Sequence, residues 1–242
     1  MTGRMPADVA DRLYGRLRDE LGCGPAVLDV GVGSGAVSAE LADRGVTLVL
    51  LDVVDLRGSE APAAPFLRGS CCALPIRSGS VTGVHLARVL HHVPDWRRAL
   101  AEVVRVLAPG GALCLTLGGR SYGAELSQLR EAVFSAGAVL GLRAAHHSHQ
   151  PHGADAVDAE LAGLGMGTPE LVDVSFPVWH TPRDAAADAA VHPYIWAPGQ
   201  DLSPLVGVVE RVLVESPLPP DEPIRHERVV CYRIYRAHRG DL

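Results

Sequence analysis

Val27-Leu28-Asp29-Val30-Gly31-Val32-Gly33-Ser34-Gly35 is a short apolar run that breaks into three alternating glycines. The run reads as a buried strand. Glycine adopts left-handed backbone without a Cβ penalty, so the turn that follows can lie close against a ligand. A helix begins at Ala36, carries Val37 and Leu41 on one face and stops at Gly45, and its first turn offers free N–H groups.

Working outward, Val9, Leu13, Leu17 and Leu21 recur at four-residue spacing and predict an amphipathic helix over 7–21. Thr47–Leu51 reads as a second buried strand ending at Asp52, Phe66-Leu67-Arg68 as a short one, and Val81–Ala87 as another. Asp95 is placed to cap a helix with Trp96, Ala99, Leu100, Val103, Val104 and Leu107 on one face, and Pro109-Gly110-Gly111 turns the chain into a strand at Ala112–Leu117. Strands alternate with helices, and the apolar runs are continuous, which is the pattern of a parallel sheet covered on both faces. The second half is less regular. Residues 119–152 read as a helical insert, Ala154–Leu164 as a helix, Glu170–Val178 as a strand, 179–202 as an irregular stretch, Leu205–Val214 as a helix and Glu227–Arg236 as a last, alternating strand. The two late strands predict an antiparallel edge added to the parallel sheet.

The chain has 242 residues and is 48% hydrophobic, enough for one or two domains without covalent staples. Its 22 basic side chains, all Arg, stand against 28 acidic ones for a net charge of −6. That balance argues against nucleic-acid binding and against a polybasic membrane arm. The absence of Lys excludes Schiff-base chemistry and a Walker phosphate loop, and the absence of Asn excludes N-glycosylation. Five cysteines with no C-x-x-C pair speak against a disulfide framework or a structural zinc site. With no signal-like segment and no run of about 18 apolar residues, a soluble cytoplasmic protein is expected.

Gly31-x-Gly33-x-x-Ala36 also satisfies the dinucleotide fingerprint, with Asp52 at a distance suited to a ribose hydroxyl. Asp29 separates the readings. In a nicotinamide site its position faces pyrophosphate, which a carboxylate repels, whereas in a site for S-adenosylmethionine it faces a cationic amino group. Leu107-Ala108-Pro109-Gly110-Gly111-Ala112-Leu113 follows in register with the second reading.

On Leu28–Gly35, Leu51-Asp52, Gly69–Pro75, Leu86–Pro94 and Arg105–Leu113, the sequence resembles the class I S-adenosylmethionine-dependent methyltransferases. It is most similar to the small-molecule subgroup that includes ubiquinone/menaquinone and antibiotic-sugar methyltransferases. The resemblance covers about residues 26–117. It implies a single domain over 1–242 with an α/β, Rossmann-like, doubly wound, mostly parallel seven-stranded sheet, an antiparallel C-terminal edge and a helical lid. The cofactor core would be 26–117, and 119–152 and 179–202 the lid or substrate inserts.

In the resemblance, Asp29 with Gly31, Gly33 and Gly35 holds the methionine end of S-adenosylmethionine, Asp52 accepts from both ribose hydroxyls, and Ser70 and Cys71 meet the adenine. Ser70 stands where many relatives carry Asp, and the short link from Asp52 to Gly69 leaves little room for the helix most relatives have there. Arg88 joins the cofactor set. His91 and His92 follow the strand at Val81–Ala87, and a His in this loop of similar sugar O-methyltransferases acts as general base, with His92 preferred here. His146, His147, His149 and His152 form a local cluster without metal-ligand spacing, and no metal is expected. Trp179, Tyr194 and Trp196 either line a substrate pocket or fix the insert.

The expected activity is methyl transfer from S-adenosylmethionine, giving S-adenosylhomocysteine, to a small-molecule acceptor. A bacterial secondary metabolite or related natural product is expected, with O-methylation preferred, and neither nucleic acid nor membrane as partner. The alternatives are a nicotinamide-dependent oxidoreductase, disfavoured by Asp29 and by the lack of a Tyr-x-x-x-Lys pair, and a protein of the same fold that binds the cofactor without methyl transfer.

Overall fold

The computed structural model describes residues 5–22, 24, 26–117, 122–143, 153–191, 196 and 199–237. Helix α1 (Ala7–Leu21) buries Val9, Leu13, Leu17 and Leu21, the stripe its spacing predicts. Strand β1 (Val27–Val30) is buried at every residue and leads through the glycine turn into α2 (Ala36–Ala42). Strand β2 (Leu48–Asp52) is joined to β3 (Phe66–Arg68) by a loop with no helix, as the short link requires. Next come β4 (Val81–Ala87), a 3₁₀ turn at Leu90–His92, and α3 (Trp96–Val106). The Asp95 carboxylate caps α3 by accepting from the Arg98 N–H at 3.3 Å. The chain continues through β5 (Leu107–Thr116), α4 (Ala124–Val139), α5 (Ala154–Gly163), β6 (Glu170–His180), α6 (Pro182–Val191), α7 (Pro204–Glu215) and β7 (Ile224–Arg236).

The seven strands form one sheet in the order β3-β2-β1-β4-β5-β7-β6. The ladders from β3 to β5 are all parallel, and β7 runs antiparallel to β5 with Leu113 opposite Tyr235. The direction of winding reverses between β1 and β4, which is where open α/β sheets bind ligands, at the carboxyl ends of the strands. Among the described residues, no helix is long and apolar enough to cross a membrane.

The chain divides into two compact units. One comprises Pro6–Gly118, Pro151–Val174 and Val230–Leu242. Its core gathers Leu28 and Val30 from β1, Val84 and Leu86 from β4, Leu100 and Val103 from α3, and Leu113 and Leu115 from β5. Here α5 is tied to β7 through one carboxylate: Asp158 accepts from Arg233 Nε at 2.9 Å and from the Tyr235 hydroxyl at 2.5 Å. Burial alone would raise the pKa of Asp158, but these bonds outweigh it and hold the carboxyl below its usual range.

The other unit comprises Met1–Met5, Gly119–Gln150 and Ser175–Val229. Leu126, Leu129 and Val133 of α4 meet Ala185, Ala186 and Ala189 of α6 and Leu205, Val208 and Val212 of α7. Helix α6 corrects the sequence expectation, which reads 179–202 as irregular. Its buried face is built from alanines, so it lacks the large apolar side chains whose spacing announces a helix, yet alanine is the best helix former. The same expectation ends a strand at Val178, whereas β6 runs on to His180. Trp196 is buried, donates from Nε1 to the Ala189 carbonyl at 3.0 Å and covers Gly137, where a Cβ would come within 2.4 Å of the indole. It is therefore a packing residue of this unit. The His180 ring stacks on His226 with centroids 5.1 Å apart and lies 4.7 Å from the Tyr122 ring. Burial first, then His226 and Arg228, depress the pKa of His180 against the opposing pull of Asp184 and Asp188. The cluster at His146–His152 and Tyr194 lies outside the described residues.

Candidate functional site

Parallel pairing sets the ends of four strands side by side: Val30 is level with Leu51 of β2 and Leu86 of β4, and Asp52 with Arg68 of β3. Every cofactor residue expected from the sequence lies at or just beyond one of these ends.

Gly31, Gly33 and Gly35 all have positive φ, at 75°, 55° and 85°. The turn is tied back to the sheet by the Gly31 N–H, which donates to the Leu51 carbonyl at 2.8 Å. Asp52, at the tip of β2, accepts from the Gly33 N–H at 2.9 Å. Nineteen residues apart in sequence, they meet because β1 and β2 are adjacent. A carboxylate has room for about four hydrogen bonds, so Asp52 keeps accepting capacity for hydroxyls next to the turn. The loop after β2 folds back on the glycines, with the Gly58 N–H donating to the Ser34 carbonyl at 2.9 Å.

Asp29 has a setting the sequence does not reveal. Its side chain is buried; Oδ2 accepts from the Ser38 hydroxyl at 2.5 Å, and Oδ1 lies 2.7 Å from His85 Nδ1. His85 Nε2 in turn lies 2.9 Å from the Tyr232 hydroxyl. The one sequence signal for this network is a histidine inside the apolar run Val81–Ala87. After β3, Ser70 Oγ accepts from the Cys72 N–H at 3.2 Å and shapes the turn, while burial pushes the neighbouring Cys71 thiol up to about 12.

Arg88, directly after β4, is the one non-glycine residue with positive φ among those described, at 56°. Its N–H donates to the Thr116 carbonyl at 2.8 Å, and its side chain is exposed. Left-handed backbone costs a non-glycine residue about 1–2 kcal/mol, and such strain gathers at functional sites. Arg88→Gly is therefore expected to raise the stability of the ligand-free chain by up to about 1 kcal/mol, once glycine's greater unfolded entropy is subtracted. It should at the same time weaken cofactor binding. Thermal unfolding and a binding titration on the same variant check both halves. His91 and His92 lie in the 3₁₀ turn that follows, His92 exposed, with ring centroids 3.8 Å apart.

The donor set fits S-adenosylmethionine better than a dinucleotide. Asp52 at the strand tip suits ribose hydroxyls, and the carboxylate of Asp29, buried behind the turn on Ser38 and His85, places a negative charge there that opposes a pyrophosphate.

A family model described as a methyltransferase domain matches residues 28–115. The demethylmenaquinone methyltransferase of Renibacterium salmoninarum is 36% identical over 94 residues, 37% of this chain and 40% of that protein. The chain thus matches about two fifths of the length of its curated relatives. Among solved structures, a putative methyltransferase of Bacillus halodurans C-125 superposes with a TM-score of 0.62 at 15% identity, covering 96% of this chain and 100% of that one. The [4+2]-cyclase SpnF superposes with a TM-score of 0.58 at 18% identity, covering 99% of this chain and 85% of that one. Residues 28–115 thus match a methyltransferase domain, and the strand order and glycine turn around them give the chain the fold of the solved methyltransferases it resembles.

Proposed function

We propose that this chain transfers a methyl group from S-adenosylmethionine to a small molecule in the making of a bacterial natural product, with a hydroxyl as the preferred acceptor. The observation that carries the reading is the Asp52 carboxylate bonded to the Gly33 N–H across the carboxyl edge of β1 and β2. Bound S-adenosylmethionine supplies an electrophilic methyl whose leaving group is a neutral thioether, so no acid is needed for departure. The glycine turn and Asp52 hold the cofactor. The exposed His92 stands beyond β4 at the same edge and takes the acceptor hydroxyl's proton as the methyl moves, with His91 against its ring. Alignment of nucleophile, carbon and sulfur at about 3–3.5 Å accounts for much of the acceleration. The acidic net charge supports a small-molecule rather than a nucleic-acid acceptor. The free thiols of Cys71, Cys72, Cys114 and Cys231 support a reducing, cytoplasmic setting.

A second reading is cofactor binding without methyl transfer, favoured by the likeness to a cyclase of the same fold. Incubation with methyl-labelled S-adenosylmethionine and a bacterial small-molecule extract separates the two. Label in a low-molecular-weight product together with S-adenosylhomocysteine is the expected result. Tight binding with all label left on S-adenosylmethionine would favour the second reading.

A further inference from the structure

We propose that His85 and Tyr232 are positioning residues for the cofactor site, holding the Asp29 carboxylate so that it staples the glycine turn in its binding shape. The inference rests on the reading of that turn as the S-adenosylmethionine site and adds residues that do not touch the cofactor.

Four polar side chains form an unbroken buried line. Ser38 and His85 are each 1% exposed, Asp29 and Tyr232 each 2%. Asp29 and His85 are register partners on β1 and β4, which brings their side chains to one face of the sheet. An ionised carboxylate only accepts, so the Ser38 hydroxyl and His85 Nδ1–H both donate to it. His85 Nε2 is then the acceptor for the Tyr232 hydroxyl. Burial raises the pKa of Tyr232 well above its ordinary value, which keeps that donating proton in place. With the protons so placed, each of the four side chains has a partner.

Such a line is costly in a core. His85 is itself 1% exposed, and an apolar residue in its place would carry no desolvation penalty. The bonds do something a valine would not. Asp29 lies two residues before Gly31, and Ser38 lies three residues after Gly35. Their bond closes a ring across the turn, from the end of β1 to α2. His85 and Tyr232 fix the other carboxylate oxygen to β4 and β7, so the staple cannot swing. Glycine-rich backbone has many alternative conformations, and a fixed staple removes them before the cofactor arrives.

The test exploits the two nitrogens of His85 separately. His85→Asn places an amide N–H near the Nδ1 position and keeps a donor for Asp29. His85→Gln reaches towards the Nε2 position, keeping a partner for Tyr232 and leaving Asp29 short of a donor. The affinity of the full chain for S-adenosylhomocysteine is measured by calorimetry, with thermal unfolding of the ligand-free protein alongside. The parent should bind, His85→Asn should stay within about threefold of it, and His85→Gln should bind roughly ten- to hundredfold more weakly, the scale of a lost charge-assisted bond. A merely structural role would lower the melting temperature of both variants and leave their affinities alike, which would overturn the proposal. Where the His85 variants do not fold, Ser38→Ala opens the staple from its other end and should weaken binding several-fold; unchanged affinity there overturns the proposal equally. A parent that binds no S-adenosylhomocysteine would overturn the cofactor reading itself, a result distinct from the first two.

Discussion

His92→Ala should lower turnover on a hydroxyl acceptor by about 10²–10⁴-fold, the usual range for a lost general base. Affinity for S-adenosylhomocysteine should change little, because the glycine turn and Asp52 lie on other strands. The pH profile should lose the limb that a histidine base places near neutrality. The structure adds a control. The His91 and His92 rings are in contact, with centroids 3.8 Å apart, so an imidazole remains at the loop when either one is removed. His91→Ala should cost less than His92→Ala, and the double variant should fall to the level of catalysis by alignment alone. Steady-state rates for the three variants decide the assignment. Rates within a few-fold of the parent in all of them would remove this loop from the chemistry.

Gly31→Ala should destabilise the chain by about 2–4 kcal/mol and abolish cofactor binding, for two separable reasons. At φ 75° any side chain is strained, by about 1–2 kcal/mol. A Cβ there would also come within 2.2 Å of Val89 Cγ2, and valine has few rotamers with which to retreat. Pairing Gly31→Ala with Val89→Ala should therefore recover only the steric part, leaving the backbone strain. Denaturant unfolding of the two single variants and the double measures that coupling. Full additivity would mean that Val89 does not set the limit at this position.

The parallel half of the fold is legible because its signals are local. Continuous apolar runs mark β1, β2 and β4, the glycine turn follows β1, and Asp95 marks the start of α3. The same locality explains the misses. Helix α6 is hidden by the small size of its buried residues, Ala185, Ala186, Ala189 and Ala190. Asp29 is read from the sequence as a charge facing the cofactor, whereas its partners Ser38 and His85 in the structure cannot be read from spacing. His85 is 56 residues away and Tyr232 a further 147, and only the parallel ladder and the antiparallel return of β7 bring them together. Asp52 and Gly33 are the counterexample. Their meeting follows from β1 and β2 lying side by side, which puts the tip of β2 next to the turn whose glycines the sequence shows.

Calorimetric titration of the full chain with S-adenosylhomocysteine, repeated on Asp52→Ala, tests the cofactor site most directly. The parent is expected to bind one equivalent, and the variant, with its fold intact, to bind roughly ten- to hundredfold more weakly, since bonds to a charged carboxylate contribute about 1.5–3 kcal/mol each. Equal affinity in parent and variant, or heat on adding NAD and none on adding S-adenosylhomocysteine, would contradict it.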